Sequence, residues 1–171
     1  STKKAPRDTA INQIELSNKT NWREKNLQLL ELNYVNAPFY KEIMPLVEKL
    51  YSESCDKLSD FNLKSILMLM ELLDVNIPYI LSSKMDPKGS KNEMLVDLLQ
   101  KVEATTYLSG VGSKAYFEEK LFSDENIKII WQVFEHPVYP QQFSEFIPYL
   151  SSLDMLFNCG IKQSQNLLRG S

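Results

Sequence analysis

Apolar positions in the first 75 residues of the chain recur at helical spacing, and the period changes after residue 76. Asn21 with Glu24 three positions on forms a capping-box pattern, and Leu27, Leu30 and Tyr34 then share one face of a first helix. Pro38 suits the first turn of a second helix, in which Phe39, Ile43, Leu46, Val47 and Leu50 follow at helical spacing. Pro45 is expected to kink or split it. Residues 60–73 are apolar nearly all round, which predicts the most buried helix of the molecule. Upstream, Ile11, Ile14 and Leu16 among polar residues predict a short edge strand over residues 11–16.

Beyond residue 76 short apolar runs bounded by polar residues predict strands. Residues 77–83 form the first, with Pro78 confined to its opening positions or to a sheet edge. A loop over 84–89 leads to Ser90 and Glu93, a second capping box, ahead of Met94, Leu95, Leu98, Leu99 and Val102 on one helical face. Residues 105–108 read as a strand, 113–122 as a helix, and 127–134 as the clearest strand of the chain. Residues 151–160 form a last helical run, closed by Gly160 in a left-handed cap with Ile161 as its hydrophobic contact. The order from 77 to 134 has the segment lengths of parallel crossovers. The expected fold is therefore α/β: a mainly parallel sheet of at least three strands with flanking helices and a helical amino-terminal half, in a single domain over residues 1–171.

Composition narrows the class. With 171 residues, 43% apolar and 24% charged, the chain is an ordinary globular protein with a core of useful size. Its net charge of −3 gives no reason to expect nucleic acid. Cys55 and Cys159 match no metal spacing, and one histidine makes a zinc site from this polypeptide improbable. Unpaired thiols fit a reducing compartment, and no apolar run is long enough to insert into a membrane, which together point to the cytoplasm. The opening Ser-Thr-Lys-Lys and the closing Arg169-Gly170-Ser171, which could be a tag remnant, look artificial or internal and are set aside in reading the fold.

In a parallel sheet the segments after the strands share the carboxyl edge, where α/β proteins bind ligands. Here those segments are Ser82-Ser83-Lys84, Ser109 to Ser113, and Glu135 to Gln142. Ser109, Gly110, Gly112 and Ser113 read as a weak G-x-G-x-x-A match whose glycines let backbone approach a phosphate at a helix start. The plainer reading is a tight turn needing positive φ at glycine, with Ser113 as N-cap. His136 precedes a proline and is flanked by Glu135 and Tyr139, a setting for proton transfer near neutral pH or for a hydrogen-bonded structural residue. Asp154, three after Ser151, reads as a capping residue, and Cys159 lies at the negative end of its helix, a poor place for a nucleophile. Trp22 and Arg23 read as an aromatic anchor with a surface charge, or as ligand contacts.

Several of these residues carry a resemblance. The blocks Tyr107-Leu108-Ser109-Gly110, Tyr116, His136-Pro137-x-Tyr139-x-Gln141, and Phe146-x-Pro148-x-Leu150-Ser151-x-x-Asp154-x-x-Phe157-Asn158-x-Gly160 resemble the carboxy-terminal signature of the WbqC-like family. Asn21-Trp22-Arg23 and the segment from Tyr34 to Tyr40 resemble its middle part. Members usually begin with a strand and a block around His-Gln-Pro, which has no counterpart here. Either the chain lacks an amino-terminal part of its parent protein, with part of the sheet and site, or it is a divergent short member.

The family's association with O-antigen and other surface-glycan clusters implies a cytoplasmic step on a nucleotide- or lipid-linked sugar, with group transfer to an amino sugar as the expected reaction. In that reading His136 with Tyr139 is the catalytic pair. Ser109, Gly110, Gly112, Ser113, Gln141 and Asn158 bind substrate, a nucleotide sugar or other anionic small molecule. No cofactor, donor or oligomeric state is legible. The competing expectation is a non-catalytic module whose aromatic segment, residues 139–157, docks another biosynthetic protein.

Overall fold

The computed structural model describes residues 1–143 and 145–170. Ser144, within the proposed docking segment, and Ser171 of the terminal Arg-Gly-Ser lie outside the described residues. In chain order the elements are α1 (Trp22–Tyr34), α2 (Tyr40–Ser52), α3 (Leu58–Leu72), α4 (Lys91–Lys101), β1 (Thr106–Gly110), α5 (Glu119–Ser123), β2 (Lys128–Gln132) and α6 (Ser152–Arg169). Short 3-10 turns cover Ile11–Gln13, Ser82–Lys84 and Val111–Tyr116. Contacts divide the chain into two units, one of Ser1–Ile77 with the segment from His136 onward, the other of Pro78–Glu135.

The larger unit is helical. Ile43 and Val47 of α2 and Leu156 and Phe157 of α6 are fully buried. Each such side chain contributes about 1.5–3 kcal/mol by leaving water. Tyr34 stacks on Phe157 at 4.5 Å and 15°, and the Phe39 N–H donates to the Phe157 carbonyl at 3.0 Å. Pro45 lies inside α2 without splitting it. Arg23 donates to the Tyr51 and Glu53 carbonyls at 2.7 and 3.1 Å, with its guanidinium 4.8 Å from the Trp22 ring centre. The aromatic-anchor reading of Trp22 and Arg23 is the one this geometry fits.

The smaller unit holds a two-stranded parallel sheet, with Thr106 opposite Lys128 and Gly110 opposite Gln132. Val96, Phe122 and Ile127 form its buried centre. The outward pair Leu108 and Ile130 stays exposed.

Several expectations are corrected. The sheet of at least three strands is not formed: among the described residues only β1 and β2 pair, and the molecule is mostly helical. Residues 77–83 are not a strand. Pro78 lacks a ladder donor, Ile77, Tyr79 and Ile80 face solvent, and Ser82–Lys84 is a 3-10 turn, so this segment does not follow a strand end. Residues 11–16 make a 3-10 turn and then isolated bridges, Glu15 to Lys57 and Leu16 to Thr2. The helix expected over 113–122 breaks because Phe117 turns extended and enters the core, 4.4 Å from Phe122 and 5.0 Å from Trp131. No residue of α3 is fully buried, and Ile66 is exposed. Neither Asn21 nor Ser90 makes a side-chain cap bond. The Asn21 amide pairs with the Glu24 carboxylate instead.

Candidate functional site

The predicted site residues fall in both units. In the smaller one, Ser109 is buried at the end of β1, and its hydroxyl meets that of Ser113 at 2.8 Å. Ser113 donates its own proton to the Gly110 carbonyl at 2.8 Å. Its single hydrogen is thereby used, so Ser109 is the donor in the first bond. Neither Gly110 nor Gly112 has positive φ, and a β-carbon at either would meet nothing within 4 Å. The tight-turn account of these glycines therefore fails, since no conformational or packing demand from the protein requires them. Ser113 lies within the 3-10 turn rather than at its cap, and the six-residue turn offers less of a dipole than the α-helix expected there.

In the larger unit the chain from His136 to α6 folds around one carboxylate. Ser151 caps α6, its hydroxyl accepting from the Leu153 N–H at 3.3 Å. Asp154 belongs to the first turn, yet its side chain faces inward and is buried. Its Oδ1 accepts from the Tyr34 hydroxyl at 3.0 Å and from Asn158 Nδ2 at 3.3 Å. Its Oδ2 accepts from the Tyr139 hydroxyl and from Gln141 Nε2, each at 2.9 Å. Four neutral donors thus satisfy an acceptor-only group away from water. Gln141 also pairs with Ile147 in both directions, at 3.0 and 2.8 Å, which clamps the intervening loop.

Burial, with Asp154 as acceptor, pushes the Tyr139 hydroxyl up to about 12, and the same causes raise that of Tyr34. Both stay protonated near neutrality and act as donors. Burial and then the Asp154 charge raise the Cys159 thiol, which disfavours the thiolate.

His136 sits at the start of this loop. Its Nδ1 lies 2.9 Å from the Pro137 carbonyl. A carbonyl only accepts, so Nδ1 is the donor in this contact. The rings of Tyr149, Phe146 and Tyr139 lie 5.3, 5.7 and 6.1 Å away. Gln141 and Asn158 also line a hollow of about 260 Å³ with Asn36, Pro38, Pro140 and Gln142. Tyr139, Gln141 and Asn158 are thus brought onto one carboxylate. The sequence reading gave Asp154 a capping role and Tyr34 a place on a helix face, and missed that the two meet at this site. The signal for Asp154 was its four-residue spacing to Asn158 on one helical face. Gly160 does close the first helical run, as expected, and with positive φ, but at φ 72°, ψ 173° it lies outside the left-handed helical region; a second run follows this kink to Arg169 within α6.

Among the described residues no group of three His, Cys, Asp or Glu is placed to hold a metal ion. No described helix is long and apolar enough to cross a membrane. Over 143 residues the chain is 29% identical to Uncharacterized protein Rv1507c of Mycobacterium tuberculosis, an alignment covering 82% of this chain and 62% of that one. No solved structure matches. The description "WbqC-like protein family" belongs to a family model that matches residues 1–166. With nearly its whole length so matched, the chain belongs to the WbqC-like protein family.

Proposed function

We propose that this chain carries the histidine-bearing part of an enzyme that transfers a group to a nucleotide- or lipid-linked amino sugar, in a cytoplasmic step of O-antigen-type surface-polysaccharide synthesis. The observation that supports it is the setting of His136, whose Nδ1 is held on the Pro137 carbonyl at 2.9 Å at the start of a loop clamped by Asp154 and Gln141. An imidazole that donates from Nδ1 is oriented to take a proton at Nε2. The step closes with an acyl thioester as donor. The sugar amine attacks the thioester carbonyl, the N–C bond forms and the C–S bond breaks. The amine proton passes to Nε2 and then to the departing thiolate. Tyr139, held protonated against Asp154, orients the loop rather than moving a proton.

In the smaller unit, Gly110 to Ser113 is the segment we propose to meet phosphate. Open space over both glycines is what a backbone approached by a ligand would show. Thermal shift with UDP-N-acetylglucosamine, which resembles the acylated product, and turnover of the free amine UDP-glucosamine with an acyl thioester by the wild type and the His136→Ala variant test the reading. UDP-N-acetylglucosamine at a hundred times its Kd should stabilise the wild type by about 2.7 kcal/mol, or about 5–10 °C in a chain of this size. His136→Ala should keep the fold, melting a few degrees lower for the lost ring contacts, and lose turnover. No shift with any nucleotide sugar near millimolar concentration would count decisively against it.

A second reading is favoured by a different observation. Val138, Phe143 and Tyr149 are 74%, 72% and 77% exposed on the segment that carries His136, the kind of apolar surface a partner protein covers. Under it, Phe143→Ser abolishes partner capture while His136→Ala has no effect.

A further inference from the structure

Six non-glycine residues have positive φ among the described residues: Asp74, Asp86, Lys91, Glu103, Asn126 and Tyr149, the last at 63°. Five are polar, three of them the Asp or Asn that tolerate this region best. Tyr149 is the aromatic one, and a bulky side chain in the left-handed region is held there against its preference. The strain gains no burial, since Tyr149 is 77% exposed. Its ring instead stands edge to face with His136, at 5.3 Å and 76°. Phe146 lies 5.7 Å from the imidazole and 5.3 Å from Tyr139, so Tyr149 is the most exposed of the three rings against the histidine. Strain held at an exposed aromatic next to the proposed base is the pattern of a ligand clamp rather than of a packing residue.

We propose that Tyr149 is the platform on which the pyranose ring of the substrate stacks, its C–H face covering the phenol ring while a polar edge turns toward His136. The sugar in this inference rests on the function proposed above. A flat, rigid ring gives such contact area at small entropic cost. Apart from Asp154, the charged residues between Phe134 and Ile161 are Glu135 and Glu145. An uncharged sugar ring therefore suits this loop better than a phosphate does.

The test uses the full chain with methyl N-acetyl-β-glucosaminide and UDP-N-acetylglucosamine as probes, read by saturation-transfer NMR and by titration. Saturation should pass from aromatic protons to the pyranose ring protons. Tyr149→Phe should keep that transfer. Tyr149→Gly should melt no lower than wild type, because glycine accepts the left-handed angle, while its affinity for UDP-N-acetylglucosamine falls about tenfold, a change of one decade in Kd. Wild-type affinity in Tyr149→Gly, absence of transfer in the wild type, or a fall of several degrees in the melting temperature of Tyr149→Gly would each overturn the proposal. If His136→Ala loses turnover while Tyr149→Gly keeps affinity, the platform fails and the catalytic reading stands. If His136→Ala keeps turnover while Tyr149→Gly loses affinity, the converse holds.

Discussion

Replacing Gly160 by alanine should be among the most damaging single changes available to this chain. At φ 72°, ψ 173° the residue sits in a region open almost only to glycine, and placing a β-carbon there costs about 1–3 kcal/mol. Space is the second problem. A β-carbon at Gly160 would lie 2.6 Å from Cδ1 and Cε1 of the Phe39 ring. To make room the Phe39 ring, 37% exposed, would have to turn away from Gly160 and give up its packing there. Overpacking of this kind costs about 1–3 kcal/mol more. Together the two effects amount to about 2–6 kcal/mol, or a fall of about 5–20 °C in the melting temperature of a chain this size. Urea denaturation followed by tryptophan fluorescence reads the change directly. A shift within about 0.5 kcal/mol, the range of an ordinary surface substitution, would refute the account of the α6 kink.

Gly112→Ala is the matched control: its β-carbon meets no protein atom, so the melting temperature should hold while nucleotide-sugar affinity falls, as titration would show. Asp154→Asn should destabilise by about 2–4 kcal/mol in the same urea assay, because an amide turns a donor toward hydroxyls and amides that the carboxylate had satisfied. Stability should also fall above pH 10. The Tyr139 hydroxyl is raised in the folded state to about 12, so its contribution is complete below the unfolded value near 10 and is lost as the pH climbs through 12. Ultraviolet titration should show tyrosines ionising late and together with unfolding. A melting temperature flat from pH 9 to 12 would contradict this.

What was legible in the sequence follows from the range of the forces involved. Helices α1, α2 and α4 announce themselves through periodicity, a local property. Strands β1 and β2 do so through short β-rich runs, and their parallel pairing follows from the length of the segment between them. Residues 77–83 offered the same apolar run, but a run of that length is strand or coil according to whether a neighbour exists. Phe117 left its helix for a tertiary reason, the aromatic core of the smaller unit. Ser151 and Asp154 matched a capping pattern, and Ser151 does cap. The donors that claim Asp154 come from Tyr34, 120 residues away, as well as from the adjoining loop, and no local rule announces that. Gly160 was recognised as a positive-φ position, yet whether the helix stops or kinks there depends on α2.

The account turns on how the imidazole of His136 is held, and the chain contains one histidine. Long-range nitrogen–proton correlation NMR on uniformly labelled protein therefore gives a single, unambiguous ring pattern. With Nδ1 donating to the Pro137 carbonyl, the ring should appear as the Nδ1–H tautomer. An Nε2–H tautomer at neutral pH would contradict the proposed role of His136 at its first step.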